Sequence, residues 1–179
     1  RVDKIVGPGN VYVAEAKRQI FGTVGIDLLA GPTEILIIAD EAADPYILAA
    51  DILGQADHDP NSRQALISLS RTIAQKTLKE VDRQLADLPT KEIAGVSWRD
   101  YGEVMVVDSP EEAVAVSDEW APEHLEVQTQ DWHYYLDHCR NYGSVFLGEE
   151  TTVAYGDKTI GTNHVLPTMK AARYTGGLS

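Results

Sequence analysis

The run Glu34-Ile-Leu-Ile-Ile-Ala39 decides the fold, because an almost unbroken apolar stretch of strand length belongs to a β-strand buried on both faces, as inside a parallel sheet. Asp44-Pro45 follows, an N-cap residue with proline at the first helical position. It predicts a helix that carries Ile47, Leu48, Ile52 and Leu53 to about Asp57. Downstream the alternation repeats. Gln64-Ala-Leu-Ile-Ser-Leu69 predicts a second strand, 73–85 a helix with a polar outer face, and Glu103-Val-Met-Val-Val107 a third strand. Ser109-Pro-Glu-Glu112 starts a helix with acids in its first turn, leading to Trp120. Leu125-Glu-Val-Gln128 is a short strand, 132–140 a helix and Ser144-Val-Phe-Leu147 a last strand. Strands alternating with long helices make βαβ units. The expected class is therefore α/β, a doubly wound, mainly parallel, Rossmann-like sheet that is incomplete in this segment. Sheets of this kind receive ligands at the carboxyl ends of their strands.

Upstream, the turn Gly7-Pro-Gly-Asn10 feeds a helix over 11–20, with Asn10 as its cap, and Ile26-Asp-Leu-Leu29 reads as a short strand. Gly31-Pro32 breaks the pattern, so the seam falls there and divides the chain into 1–30 and 31–179. The last stretch, 151–179, is rich in Gly and Thr, shows little periodicity and is expected to be mostly loop.

The 179 residues suffice for one sizeable core or two small lobes. A formal net charge of -13 disfavours nucleic acid and anionic membrane as partners, since both reward clustered Lys and Arg. No apolar run approaches bilayer length and no secretory signal is visible, so a cytoplasmic location is expected. The single Cys139 has no partner for a disulfide and reads as a helix residue without a redox role. The opening Arg1-Val-Asp-Lys-Ile-Val6 has no initiator Met and reads as the interior of something longer.

Polar groups suited to catalysis are spread over three segments. Gln55 and His58 stand three apart at the end of the helix from Pro45, the spacing two ligands on one helix face need to share a metal. Taken alone, the pair is better read as a histidine that stabilises a helix C-terminus through the dipole. Glu123-His124, stiffened by Pro122, sets a carboxylate beside an imidazole just before a strand, a pair that can activate water and shuttle a proton. It is also a common surface dipeptide. Asp157 follows Gly156 in what reads as a loop, free to approach a metal without helical constraint, and Thr162-Asn163-His164 adds polar groups before Val165-Leu-Pro167. Gly7-Pro-Gly-Asn10 could offer N–H groups to a phosphate but lacks the Gly-x-Gly-x-x-Gly fingerprint.

In order, Gly7-Pro-Gly-Asn10, Ala30-Gly-Pro-Thr-Glu34, Gln55-Ala-Asp-His58, Ala121-Pro-Glu-His124 and Gly161-Thr-Asn-His-Val-Leu-Pro167 make the chain resemble the histidinol dehydrogenases over essentially its whole length. The resemblance implies two NAD-dependent oxidations that carry L-histidinol through its aldehyde to L-histidine, with Zn2+ as a template for the substrate. It makes Gln55, His58 and Asp157 the zinc ligands. Thr33 and His124 join these three as substrate contacts, and Asn10 becomes a contact to NAD. Glu123 activates water and His124 is the general base. It also implies a homodimer in which the partner subunit donates a further zinc ligand from a C-terminal segment. Under it, 1–30 is the tail of one Rossmann-like lobe, on the NAD-binding side, and 31–179 is the second half of another.

Thr33 departs from the family's usual Ser and keeps a hydroxyl, while Asp57 stands where Glu is usual. The chain reads as a middle portion of such an enzyme, from which weak zinc binding and negligible turnover are expected in isolation. Competing readings are a non-catalytic remnant or binding module of the same fold, and a zinc-assisted hydrolase using Glu123 and His124.

Overall fold

A computed structural model describes residues 2–7, 9–161 and 165–177. The N-terminal part is β1 (Lys4–Ile5), α1 (Val11–Ile20) and β2 (Gly25–Ile26), with the two short strands paired in parallel. The expected strand over 26–29 is cut short at Ile26. The next residue, Asp27, turns its carboxylate inward to Lys17 at 2.6 Å and to the Gly7 N–H at 2.7 Å. Asn10 caps α1 as expected, its side-chain oxygen accepting from the N–H groups of Tyr12 at 3.1 Å and Val13 at 3.2 Å.

The rest is built on one five-stranded sheet. Its strands are β3 (Glu34–Ala39), β4 (Arg63–Ser68), β5 (Gly102–Val106), β6 (His124–Gln128) and β7 (Ser144–Leu147). All neighbours pair in parallel in the order β5-β4-β3-β6-β7. The chain winds outward from β3 in one direction and then returns to wind outward in the other, which is the doubly wound topology the alternation implied. Alternate residues of β3 supply two cores. Ile35, Ile37 and Ala39 pack with Leu48, Ile52 and Leu53 of α2 (Pro45–Ala56) and with Ile73 and Val81 of α3 (Arg71–Asp87). Leu36 and Ile38 face the opposite way, with Ala113 of α5 (Pro110–Trp120) and Tyr135 of α6 (Trp132–His138).

Two helices escape the reading from sequence, and one local expectation is corrected. A helix, α4 (Lys91–Tyr101), occupies a stretch that gave no helical signal. It buries only Ala94 and Ser97, side chains too small to register as an apolar stripe. The final stretch is mostly loop among the described residues, as expected, interrupted by α7 (Val153–Lys158) behind a Thr152 cap and by a 3-10 turn over Ala171–Arg173. Cys139 lies one residue beyond α6 and not within it. Burial, aided by the charge of Asp118, pushes its thiol up to about 11. No helix among the described residues is long and apolar enough to cross a membrane.

Candidate active site

The chemistry sits at the amino ends of the strands, opposite the expected edge. Thr33 and Glu34 stand at the start of β3, Glu123 and His124 at the start of β6, and β3 and β6 are neighbours in which Ile35 lies opposite His124. The reason is local. Ala121 ends α5 in the left-handed conformation (φ 51°), and Pro122 stiffens the next step, which aims Glu123 back across the sheet edge. The Glu123 and Pro122 carbonyls are held by Ser144 N–H at 2.9 Å and Gly143 N–H at 3.0 Å. Gly143 has to be glycine here, since a Cβ would fall 2.6 Å from the Glu123 carbonyl oxygen.

A line of hydrogen bonds joins three of the residues singled out from sequence. The Gln55 side-chain amide donates to Thr33 Oγ1. Thr33 in turn donates to Glu123 Oε2 at 2.8 Å, and the Glu34 N–H donates to the same oxygen at 3.0 Å. With its nitrogen committed to Thr33, Gln55 can offer a cation only its carbonyl oxygen. His124 Nδ1 lies 2.9 Å from the Glu34 carbonyl oxygen. A carbonyl only accepts, so Nδ1 carries the hydrogen and Nε2 keeps its lone pair. Burial lowers the imidazole pKa, which favours this neutral form.

Burial raises Glu123 to about 7 against the opposing bonds from Thr33 and Glu34 N–H, with Asp157 adding to the rise and His58 opposing it. Both Asp157 and His58 also act on His124, which places all four in one electrostatic unit. Glu34, not singled out from sequence, is a second such acid. It is buried and raised to about 7, chiefly by burial, although its Oε1 accepts from the Met169 N–H at 3.1 Å. A lone glutamate opening an apolar strand gave no signal of its own.

Gln55, His58 and Asp157 line one cavity of about 420 Å³ between α2 and α7. Asp157 projects from α7, so the expectation of an unconstrained loop carboxylate is corrected. Among the described residues no three His, Cys, Asp or Glu side chains converge closely enough to hold a metal by themselves. The candidate set has two of these types, and its third donor is the Gln55 oxygen. An imidazole and a carboxylate suit zinc, and an oxygen donor completes a plausible three-ligand set. Asn10 lies apart from this cluster, in a second cavity of about 560 Å³ lined also by Arg18, Pro32, Asp59, Asn61 and Met169. The two cavities flank the same loop, because Pro32 lines one and Thr33 enters the other site. Thr162, Asn163 and His164 lie outside the described residues. Asp57 is engaged structurally, accepting from Thr90 Oγ1 at 3.2 Å.

The chain matches the family model described as histidinol dehydrogenase over residues 1–179. It is 59% identical over 177 residues to a histidinol dehydrogenase homolog of Shouchella clausii (strain KSM-K16), covering 99% of this chain and 42% of that protein. It is 53% identical over 177 residues to sulfopropanediol 3-dehydrogenase of Ruegeria pomeroyi (strain ATCC 700808 / DSM 15171 / DSS-3), covering 98% and 41%. Among solved structures, histidinol dehydrogenase from Elizabethkingia anophelis superimposes with a TM-score of 0.93 at 45% identity, covering 99% of this chain and 41% of that one. The chain thus spans about two fifths of the length of these three relatives, and by its family-model match, its sequence identity and its fold it belongs to the histidinol dehydrogenase family.

Proposed function

We propose that this segment carries the proton-transfer groups and three zinc ligands of an NAD-dependent dehydrogenase that oxidises L-histidinol through L-histidinaldehyde to L-histidine. The observation that carries the reading is the arrangement at the amino edge of the sheet. A neutral His124 with a free Nε2 stands beside a carboxyl group whose pKa lies near neutrality.

Zinc, held by Gln55, His58 and Asp157, would orient the substrate, and two NAD molecules in turn would accept hydride, one from the alcohol carbon and one from the hydrated aldehyde. His124 Nε2 takes the hydroxyl proton as the alcohol carbon is oxidised, while the Nδ1 bond to Glu34 O fixes the ring and its tautomer. Glu123 then takes the proton of the water that adds to the aldehyde. Its Oε2 is held by Thr33 and Glu34 N–H, so the other carboxyl oxygen is the one available to water. The Thr33 hydroxyl couples the two halves of the site through its bonds to Gln55 and Glu123. Asn10, one cavity away, is assigned to NAD, and 1–30 to the lobe that binds it. Three protein donors leave zinc an open position for substrate, and a homodimer whose second subunit adds a further ligand is part of the same proposal.

The test is NADH formation from L-histidinol by the full-length protein that contains this segment. Replacement of His124 by Ala is expected to lower turnover by about 10²–10⁴-fold, and turnover unchanged in that variant would overturn the reading.

A second reading concerns the substrate. The 53% identity to sulfopropanediol 3-dehydrogenase favours another small alcohol oxidised by the same groups. Parallel assays with L-histidinol and sulfopropanediol decide between them by the larger kcat/KM.

A further inference from the structure

Alternation along β6 puts His124, Glu126 and Gln128 on one face and Leu125 and Val127 on the other. The first face looks toward α2, beside Ile35, Ile37 and Ala39 of the paired strand, which sit in the apolar core there. Three consecutive inward positions of a fully buried strand have thus been given to polar side chains. Two of them, Glu126 and Gln128, take no part in the chemistry described above. Glu126 is only 1% exposed. Its carboxyl group interacts electrostatically with that of Asp51 on α2, and its Oε1 has no hydrogen-bond partner among the described residues. Gln128 Nε2 ties the two acids together, donating to Asp51 Oδ2 at 2.8 Å and to Glu126 Oε2 at 3.3 Å. The backbone N–H of Val153, the first residue of α7, acts on the same Glu126 carboxyl.

The spacing gives this network its meaning. Asp51 is one helical turn before Gln55, Val153 one turn before Asp157, and Glu126 one pleat beyond His124 on the same strand face. Asp51 and Glu126 line the cavity that Gln55, His58 and Asp157 also line. We propose that Glu126, acting through Asp51, Gln128 and the start of α7, is a positioning residue that sets the two ligand-bearing helices against the strand carrying the catalytic pair. The proposal rests on the zinc reading above. Stability does not account for the network, since burying acidic groups in an apolar layer is costly and an apolar side chain would serve the core at least as well.

The experiment compares zinc affinity, by competition with a chromophoric chelator, and thermal stability in the full-length protein that contains this segment and in its variants. Glu126→Leu is expected to weaken zinc binding about tenfold or more while thermal stability is retained or raised. Glu126→Gln, which presents an acceptor to Val153 and a donor to Asp51, is expected to retain most of the affinity. Should Glu126→Leu fail to fold, Gln128→Leu cuts the same bridge from the other side and carries the same expectation. Zinc affinity unchanged in the Leu variant overturns the proposal, as does an equal loss in the Leu and Gln variants accompanied by lowered stability. Gln55→Ala is the control for the underlying reading. If it too leaves zinc binding unchanged, the zinc site itself is misassigned and both fall. If it weakens binding while Glu126→Leu does not, only the positioning role falls.

Discussion

Two buried polar clusters lie on either side of the Gly31-Pro32 break, and they are built on opposite principles. In the N-terminal unit, Lys17 and Asp27 form an ion pair with side chains 5% and 0% exposed, and Asp27 also accepts from Gly7 N–H. Burial alone would raise the Asp27 pKa, yet the bonds from Lys17 and Gly7 hold it below its ordinary value. At the amino edge of the large sheet, neither Glu34 nor Glu123 forms an ion pair with a Lys or Arg among the described residues, and burial outweighs the opposing charges of Arg63 and His58, raising both to about 7. A compensated charge pair is closed and holds structure together. An uncompensated acid beside a cavity keeps the capacity to exchange a proton near neutral pH, which is why such groups mark reactive sites.

The contrast is open to direct attack, beginning with the ion pair. Asp27→Leu strands a buried ammonium group and is expected to cost about 3 to 5 kcal/mol. Denaturant unfolding measures this, and a loss under 1 kcal/mol would mean the pair is not closed as described. Next comes pH, where the two clusters have opposite signs. Asp27, with a depressed pKa, contributes stability present above about 3.8 and lost as pH falls below it. Glu34 and Glu123, with raised values, contribute stability fully present below 4.5 and lost as pH rises to about 7, on the order of 3 kcal/mol at most for each. Melting temperature should therefore fall between pH 4.5 and 7, and Glu34→Gln should flatten that slope. A flat profile in the unaltered chain would count against buried acids at the edge.

Smaller effects sharpen the picture of the edge itself. Gly143→Ala drives a Cβ against the Glu123 carbonyl and is expected to cost about 1 to 3 kcal/mol. In the full-length protein it should lower turnover more than substrate affinity if Glu123 has the water-activating role proposed for it. Thr33→Ser keeps the hydroxyl that bridges Gln55 and Glu123 and should change stability by less than about 1 kcal/mol. Thr33→Val, which removes the bridge, should be the more damaging of the two for turnover.

Much of this molecule is legible in its sequence, and the reasons are specific. The apolar run at β3 and the cap-and-proline signal at Asp44-Pro45 depend on local chemistry, and both elements stand where expected. Gln55, His58, Glu123, His124 and Asp157 were each singled out, although each segment alone had an ordinary reading. Two helices escaped detection. α7 has no buried residue, and α4 buries only small ones, so neither leaves an apolar period to read. Lys17, with its aliphatic stem on α1, gave no hint that its ammonium group would be buried against a carboxylate ten residues on.

By itself, then, the sequence determined the α/β class, the parallel alternation and the residue types available for proton transfer, because these follow from periodicity, capping and side-chain chemistry. Tertiary structure decided at which edge of the sheet they meet, since that depends on the path of the chain at Ala121-Pro122 and on the docking of α7. It also decided which acids are buried and which carry a compensating cation. A carboxyl group's solvation is set by neighbours distant in sequence: Glu34 with Met169, Glu123 with Thr33, Glu126 with Asp51. Burial in a low-dielectric interior, which no local pattern records, is what shifts these groups toward neutrality.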